Sequence, residues 1–453
     1  MENKSLWKVL NSRERIGWVI YDWANSAFVL CVITVIGSAY FVARFESAAQ
    51  EAGGLMLGPS LAMDVGGMRL TAEAAWSLLI GFSAAFVAIS SPFLGSIADR
   101  GGWKRQFLAV YCALGVAATL ALWFPMPWWA VGLAILLGNI GFEGGNVYYN
   151  AFLPHLARGR EQDSLSSMGY AFGYLGSVMV LIAALIFFVP PRGEVTDSFL
   201  MVGLWWGGFA LLSLAWVRDS SVSNTRSFGQ LASGSWREVT TTIAHLKSHR
   251  DLAVFLLAFL LYNDAIATLI SNATPFALEN IYLDEALTQK ITLNELIPAI
   301  IMIQVIAFPG SILCGWLSLK FGEKPTIYFT IAVFLVVVIL GLFINRVMEF
   351  YFISVLVGLV LGGSQAISRA LFAAMVPPEK STEFFAFFAL SSKFSAMLGP
   401  LVYGGLLLLT GDTRLAIMSL SVFLVGGGIV LFFVNVERGR KGGPGERLAQ
   451  DGV

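Results

Sequence analysis

The sequence predicts an all-α polytopic membrane protein with twelve transmembrane helices in two pseudo-symmetric six-helix bundles. Three observations carry this: the composition, the charge-free runs, and an internal repeat. Of 453 residues, 57% are hydrophobic and only 13% charged, with a mean hydropathy of +0.74. A soluble globular protein has roughly 25% charged residues. The composition therefore excludes a soluble enzyme, a nucleic-acid binder and a disordered scaffold. The formal net charge is zero, which leaves no global field to attract a polyanion. Cys31, Cys112 and Cys314 all fall inside apolar runs and read as small core residues, with no disulfide framework and no metal site.

A hydrocarbon core about 30 Å thick needs about 20 apolar residues of helix to cross it. Charge-free runs at 23–43, 74–98, 164–191, 198–217, 296–319, 325–345 and 415–436 each meet that length. The uncharged run 106–142 is broken by Phe124-Pro125-Met126-Pro127-Trp128-Trp129. Two prolines with interfacial tryptophans mark a hairpin between two helices there. Stretches 252–278, 350–376 and 384–409 each carry one ionisable residue near the middle, which completes twelve spans. The first apolar run is long enough to span and shows no cleavage site, so no signal peptide is expected.

Orientation follows from Lys and Arg. With the N-terminus inside, 21 of the 29 basic residues fall on the inner side and six on the outer. The positive-inside rule then places both termini in the cytoplasm, and the plasma (inner) membrane is the expected location. The organisation is a cytoplasmic N-terminal segment (1–15), a six-helix bundle (16–217), a polar connector (218–250), a second six-helix bundle (251–436) and a cytoplasmic tail (437–453). Within the connector Trp236, Val239, Ile243 and Leu246 share a helical face, predicting an amphipathic helix on the inner membrane surface. His245 and His249 are one turn apart there, but no nearby group completes a metal site.

Gly95-Ser-Ile-Ala-Asp99-Arg100-Gly-Gly102-Trp-Lys104-Arg105 follows span 2, and Gly315-Trp-Leu-Ser-Leu319-Lys320-Phe-Gly322-Glu-Lys324 follows span 8. The carboxylate stands only in the first copy. Further glycine matches between spans 4 and 10 and spans 5 and 11 support two related halves. The Gly95–Arg105 segment resembles the loop motif between helices 2 and 3 of the major facilitator superfamily. Four segments resemble its vacuole-effluxer-like branch, named for a vacuolar amino-acid exporter: Tyr21 to Phe28, Tyr149 to Pro154, Gly362 to Arg369, and Phe385 to Pro400. The resemblance implies a secondary transporter of 6+6 helices in which spans 1, 4, 7 and 10 line a central cavity. It also makes Gly95, Asp99, Arg100, Gly102, Lys104 and Arg105 a cytoplasmic gate motif. At a loop, Asp99 is suited to capping a neighbouring helix N-terminus or pairing with a base; positive-inside anchoring accounts for Lys104 and Arg105 but not for Asp99.

A charge at mid-bilayer costs about 2.5 to 3.5 kcal/mol on insertion scales. Five are kept: Asp22, Glu143, Asp264, Arg369 and Lys393. With Asn25 and Asn263 they are the candidate substrate- or proton-binding residues. Buried carboxylates can take up and release a proton, the Arg369 fork suits a carboxylate or phosphate, and Asp264 with Asn263 could hold an ammonium. The competing reading pairs Asp22 or Glu143 with Arg369, and Asp264 with Lys393, merely to lock helices together. Gly169, Gly173 and Gly176, and Gly399-Pro400 with Gly404-Gly405, serve close packing or hinging.

The expected function is secondary active transport of a small solute, an amino acid in the first instance, by alternating access. Proton coupling is the only cofactor-like requirement. A lipid or lysolipid head-group transporter of the same fold and a transporter-like membrane sensor are the alternatives. An enzyme is not expected, since no histidine lies mid-span and no Cys/His cluster exists. Expected partners are the small-molecule substrate and membrane lipids, with no nucleic acid and a monomeric chain.

Overall fold

The computed structural model describes residues 6–57, 60–188, 193–219, 250–284, 286, 288–291, 293–410 and 412–441. α1 (Arg13–Phe28) runs through a π-helical stretch (Val29–Val35) into α2 (Ile36–Glu51). These form one continuous span of 39 residues, ten residues longer at its start than the charge-free run. α3 (Ala72–Gly101), α4 (Lys104–Ala121), α5 (Trp128–Ala151), the short α6 (Leu153–Leu156), α7 (Arg160–Phe187) and α8 (Val195–Trp216) complete the first bundle. The second contains α9 (Arg250–Asn280), α10 (Leu293–Phe321), α11 (Glu323–Gly341), α12 (Val347–Met375), α13 (Ser381–Thr410), and α14 (Thr413–Met418) with α15 (Leu420–Phe432). A final short helix, α16 (Val436–Lys441), folds back on the bundle.

Ten helical segments among the described residues are long and apolar enough to cross a membrane. The remaining two predicted spans are helices as well: α4, of 18 residues, and α13, of 30. The amphipathic helix predicted in the connector, with His245 and His249, lies outside the described residues.

The helices are apolar toward lipid and small or polar toward each other, as a bilayer demands. On α3, Leu78, Phe82, Phe86 and Ile89 recur at helical spacing and are all exposed, while Ser83 and Ser91 on its other side are buried. Ser83 Oγ accepts a hydrogen bond from Asn139 Nδ2 of α5 at 2.6 Å. α4 and α5 approach until a Cβ on Gly141 would stand 2.4 Å from the Gly115 backbone nitrogen. Their connection is the predicted proline hairpin, with Pro127 in extended conformation directly before α5.

One element was not predicted. Between α2 and α3 the chain forms an antiparallel sheet of β1 (Leu55–Leu57), β2 (Ser60–Val65) and β3 (Met68–Thr71). Its second turn is Gly66-Gly67 with φ of +62° and +87°, a two-residue hairpin that glycine permits at no steric cost. The Gly67 amide also donates to Asp64 Oδ1 at 2.9 Å.

Successive spans alternate in direction, so the start of α1 and the end of α15 lie at one end of the molecule, the inner end. There the bundles meet: α7 packs on α10 and α12, and α13 packs on α3 and α5.

Candidate functional site

Three polar assemblies are embedded between the helices. The first centres on Arg369, whose side chain is 2% exposed. It projects from the inner third of α12 into the first bundle. Its Nη1 lies 3.3 Å from Asp22 Oδ2 of α1 and donates to Asn150 Oδ1 of α5 at 3.1 Å. Its Nε donates to Ser166 Oγ at 2.8 Å and its Nη2 to the Ser166 carbonyl at 2.9 Å, both on α7. The guanidinium plane lies between two rings, 4.2 Å from the Tyr170 centroid and 4.7 Å from Trp18. Tyr149 donates its hydroxyl to Asp22 Oδ2 at 2.7 Å and stacks on Trp18 at 4.5 Å. The cage thus ties α12 of one bundle to α1, α5 and α7 of the other. It fits only because residue 169 is glycine: a Cβ there would stand 2.7 Å from Asp22 Oδ2 and 2.9 Å from Arg369 Nη2. Of the pairings weighed from sequence, the structure brings together Asp22 and Arg369.

The second assembly is Asp264 on α9. The residue is fully buried, and neither carboxylate oxygen has a side-chain hydrogen-bond partner among the described residues. One turn further along, Thr268 is equally buried and its hydroxyl is likewise unpartnered. Both oxygen groups face Gly399 of α13, where an added Cβ would meet Thr268 Oγ1 at 2.2 Å and Asp264 Oδ1 at 2.9 Å. Asn263 and Glu143 are half-buried on α9 and α5, and each has a polar partner of its own. Asn25 donates to Asn146 Oδ1 at 2.9 Å, joining α1 to α5. Lys393 belongs to α13, but its side chain lies outside the described residues.

The third assembly closes the inner end. Asp99, in the last turn of α3, reaches the N-terminus of α13. Its Oδ1 accepts from the Thr382 amide at 3.2 Å and the Thr382 hydroxyl at 2.7 Å, and its Oδ2 accepts from the Glu383 amide at 3.0 Å. These are the amides that a helix start leaves unpaired, so a residue of one bundle caps a helix of the other. Lys104 Nζ is 3.1 Å from Asp99 Oδ1 and donates to Ser381 Oγ at 2.7 Å. Gly95 permits the approach, since a Cβ there would stand 3.1 Å from the Thr382 carbonyl. Gly102 ends α3 in the left-handed conformation, with φ +65°. Arg100 Nε donates to the Ser96 carbonyl one turn earlier on α3 at 3.4 Å. The Arg105 amide donates to Asp219 Oδ1 at 3.0 Å, and burial lifts the Asp219 pKa above the ordinary carboxylate value against those backbone hydrogen bonds.

The second copy of the motif solves the same problem with the charge on the other partner. Leu319 stands where Asp99 does, and its neighbour Ser318 donates to Asp163 Oδ2 of α7 at 2.8 Å. The carboxylate has moved from the motif helix to the first turn of the helix it meets. Close by, Glu323 pairs with Arg440 of α16, and Asp251 accepts from Arg438 Nη2 at 2.7 Å.

Sequence reasoning missed Trp18, Asn150, Ser166 and His155, the last of which lies 2.8 Å from Lys104 Nζ. A signal existed for Trp18, which sits one helical turn before Asp22. Among the described residues no group of three or more His, Cys, Asp or Glu side chains could hold a metal ion.

Two six-helix bundles joined across polar cages at one end are the arrangement of a major facilitator transporter, and solved structures agree. The chain superposes on the transporter FucP in its outward conformation with a TM-score of 0.63 at 12% identity, over 93% of this chain and 98% of that one. The human organic anion transporter MFSD10 (TETRAN) gives 0.64 at 14% identity over 95% and 100%. Sequence narrows the class: the chain belongs to the family described as vacuole effluxer Atg22 like, whose profile matches residues 11–443. It is 30% identical over 437 residues to the MFS-type transporter YxiO of Bacillus subtilis (strain 168), covering 94% of this chain and 96% of that protein. Autophagy-related protein 22 of Coccidioides immitis (strain RS) is 23% identical over 98% of this chain and 90% of its own length. The protein is therefore a multi-pass membrane transporter of the major facilitator type and not an enzyme.

Proposed function

We propose that this transporter carries a small amino acid-like solute by proton-coupled alternating access, as a monomer without a bound cofactor, in the plasma membrane with both termini in the cytoplasm. The distribution of Lys and Arg supports the orientation. The observation that carries the solute reading is the Arg369–Asp22 pair at the junction of the bundles. A guanidinium fork is matched to a carboxylate, and here an internal carboxylate occupies it while the inner end is closed. Protonating Asp22 removes the competitor's charge and releases the fork to a substrate carboxylate. Asp264, on the other bundle and without a side-chain partner among the described residues, supplies the complementary negative charge for an ammonium or takes the coupled proton. Opening of the inner end breaks the contacts at Asp99, Asp163 and Arg369 together.

The test is uptake by purified protein in proteoliposomes against a panel of labelled amino acids, with and without an imposed pH gradient. Gradient-dependent accumulation of one of them, lost in Arg369→Ala and in Asp264→Asn, is the expected result. Accumulation unchanged by either substitution overturns the site. No flux across the whole panel overturns the amino-acid reading and leaves a lipid head group as the solute to try next.

A further inference from the structure

The inner gate contains a group that the transport cycle as proposed does not use. Lys104 is buried, and its ammonium has three acceptors around it: Asp99 Oδ1 at 3.1 Å, Ser381 Oγ at 2.7 Å and His155 Nε2 at 2.8 Å. An ammonium has three protons and no lone pair, so it only donates. His155 Nε2 must therefore offer a lone pair, and the ring must be neutral with its proton on Nδ1. The ring also hydrogen-bonds the Pro378 backbone of the second bundle. His155 stands on α6 directly after the Tyr149 to Pro154 segment and, unlike Lys104, is exposed at the inner end. Its ring thus meets water on one edge and the gate lysine on the other.

We propose that His155 is a proton-binding site through which pH on the inner side sets the gate. The closed gate binds the neutral ring alone. A proton taken up at Nε2 removes the acceptor and places a second positive charge against Lys104. Lys104 then loses one of its three hydrogen bonds, and the contact to Ser381 and Asp99 across the bundles weakens. Partial burial of the ring acts first against its protonation in the closed state, and the charged groups around it act in both directions. Lys104 on α4 and Arg158, three residues beyond the histidine, both disfavour its protonation while the gate is closed. Asp99 on α3 faces Lys104 and offsets part of that repulsion. The turn Pro378–Lys380 adds Glu379 and Lys380, which oppose each other, and Glu383 follows in the first turn of α13. Opening carries the Pro378–Lys380 turn and Ser381 of the second bundle away from the ring and admits water to it, while Lys104 stays beside it on the same bundle, so the open state holds the proton more tightly. By linkage, acid on the inner side favours opening.

A distance measurement tests this without knowledge of the solute. Spin labels go on Gln106→Cys of α4 and Glu437→Cys of α16, both exposed at the inner end, in full-length protein whose three native cysteines are replaced by alanine. The short-distance population belongs to the closed gate. Between pH 8 and pH 5.5, spanning the ordinary histidine pKa of about 6.5, the long-to-short ratio should rise about fivefold if the open state titrates at that ordinary value and the closed state binds the proton ten times more weakly. His155→Gln, which keeps an acceptor and cannot be protonated, should hold the short distance throughout. Arg158→Gln should move the transition to higher pH, because a charge opposing protonation is gone. Lys104→Met should favour the long distance at every pH. Chromatographic monodispersity and melting temperature identify any variant that has failed to fold, and Arg158→Gln then stands as the second test. A pH transition that survives in His155→Gln overturns the proposal, as does a wild-type ratio that does not change with pH.

Discussion

At the scale of single residues, the buried ion pair is the feature whose removal is most informative. Arg369 and Asp22 are only 2% and 11% exposed at their side chains. Removing one partner leaves an uncompensated buried charge, which costs about 3 to 5 kcal/mol, whereas removing both often costs less. Asp22→Asn should therefore lower the melting temperature of detergent-solubilised protein more than the Asp22→Asn/Arg369→Gln double variant does. Equal or greater loss in the double variant removes the pair from the stability of this state. Gly169→Ala should act like a wedge driven between the same two side chains, at the roughly 1 to 3 kcal/mol of an overpacked core. The sequence displayed the charges plainly, because a lone ionisable residue in a run of apolar ones is conspicuous and costly. It did not display the cage walls. Trp18, Tyr149 and Tyr170 look like ordinary packing aromatics until the fold brings their faces to the guanidinium, and Ser166 and Asn150 look like helix-end residues.

At the scale of elements, α13 begins with a cap supplied by another bundle. A carboxylate that accepts from the first amides of a helix is worth about 0.5 to 2 kcal/mol, part of it from the helix dipole. Asp99→Asn keeps the shape of the cap and loses its charge; Asp99→Ala loses both. The long-distance population between labels at positions 106 and 437 should grow in the order wild type, Asp99→Asn, Asp99→Ala. A reversed order contradicts a capping role. The helices themselves were legible from runs of 20 or more uncharged residues, and the proline hairpin from its two prolines. The small sheet was not. Its strands are three to six residues long, and only the Gly66-Gly67 turn advertised it, in a region where charge spacing commanded the reading. Span 1 is longer than its apolar run because Ser12 caps a polar first turn, accepting from the Arg15 amide at 3.3 Å. That start is set by hydrogen bonding and hydropathy does not register it.

At the scale of the whole molecule, the two halves share a fold and close the inner end with opposite polarity. In the first, the motif helix α3 supplies the carboxylate and α13 the donors. In the second, the motif helix α10 supplies the donor Ser318, and the carboxylate Asp163 comes from α7. A residue lost from one half of a duplicated protein need not weaken that half if its partner helix acquires the charge, which is why the decayed repeat at Leu319 was a poor guide to whether this contact exists. Both contacts must part for the inner end to open, so fixing either should hold the whole molecule closed. Asp163→Cys with Ser318→Cys places one sulfur where Ser318 Oγ now stands and the other where the Asp163 carboxyl carbon stands, one bond short of the oxygen that Ser318 Oγ meets at 2.8 Å, so a disulfide needs a small closing adjustment of the two helices. On oxidation of that variant, in the cysteine-replaced and spin-labelled background, the long-distance population should vanish at every pH, and reduction should restore it. The Asp99 contact lies at the other pair of helices and is untouched by the bridge, and the labels on α4 and α16, one in each bundle, report on whether the bundles move as rigid bodies. Persistence of the long distance in the oxidised protein means that α4 and α16 separate while α7 and α10 stay together, and that the bundles do not rock as units.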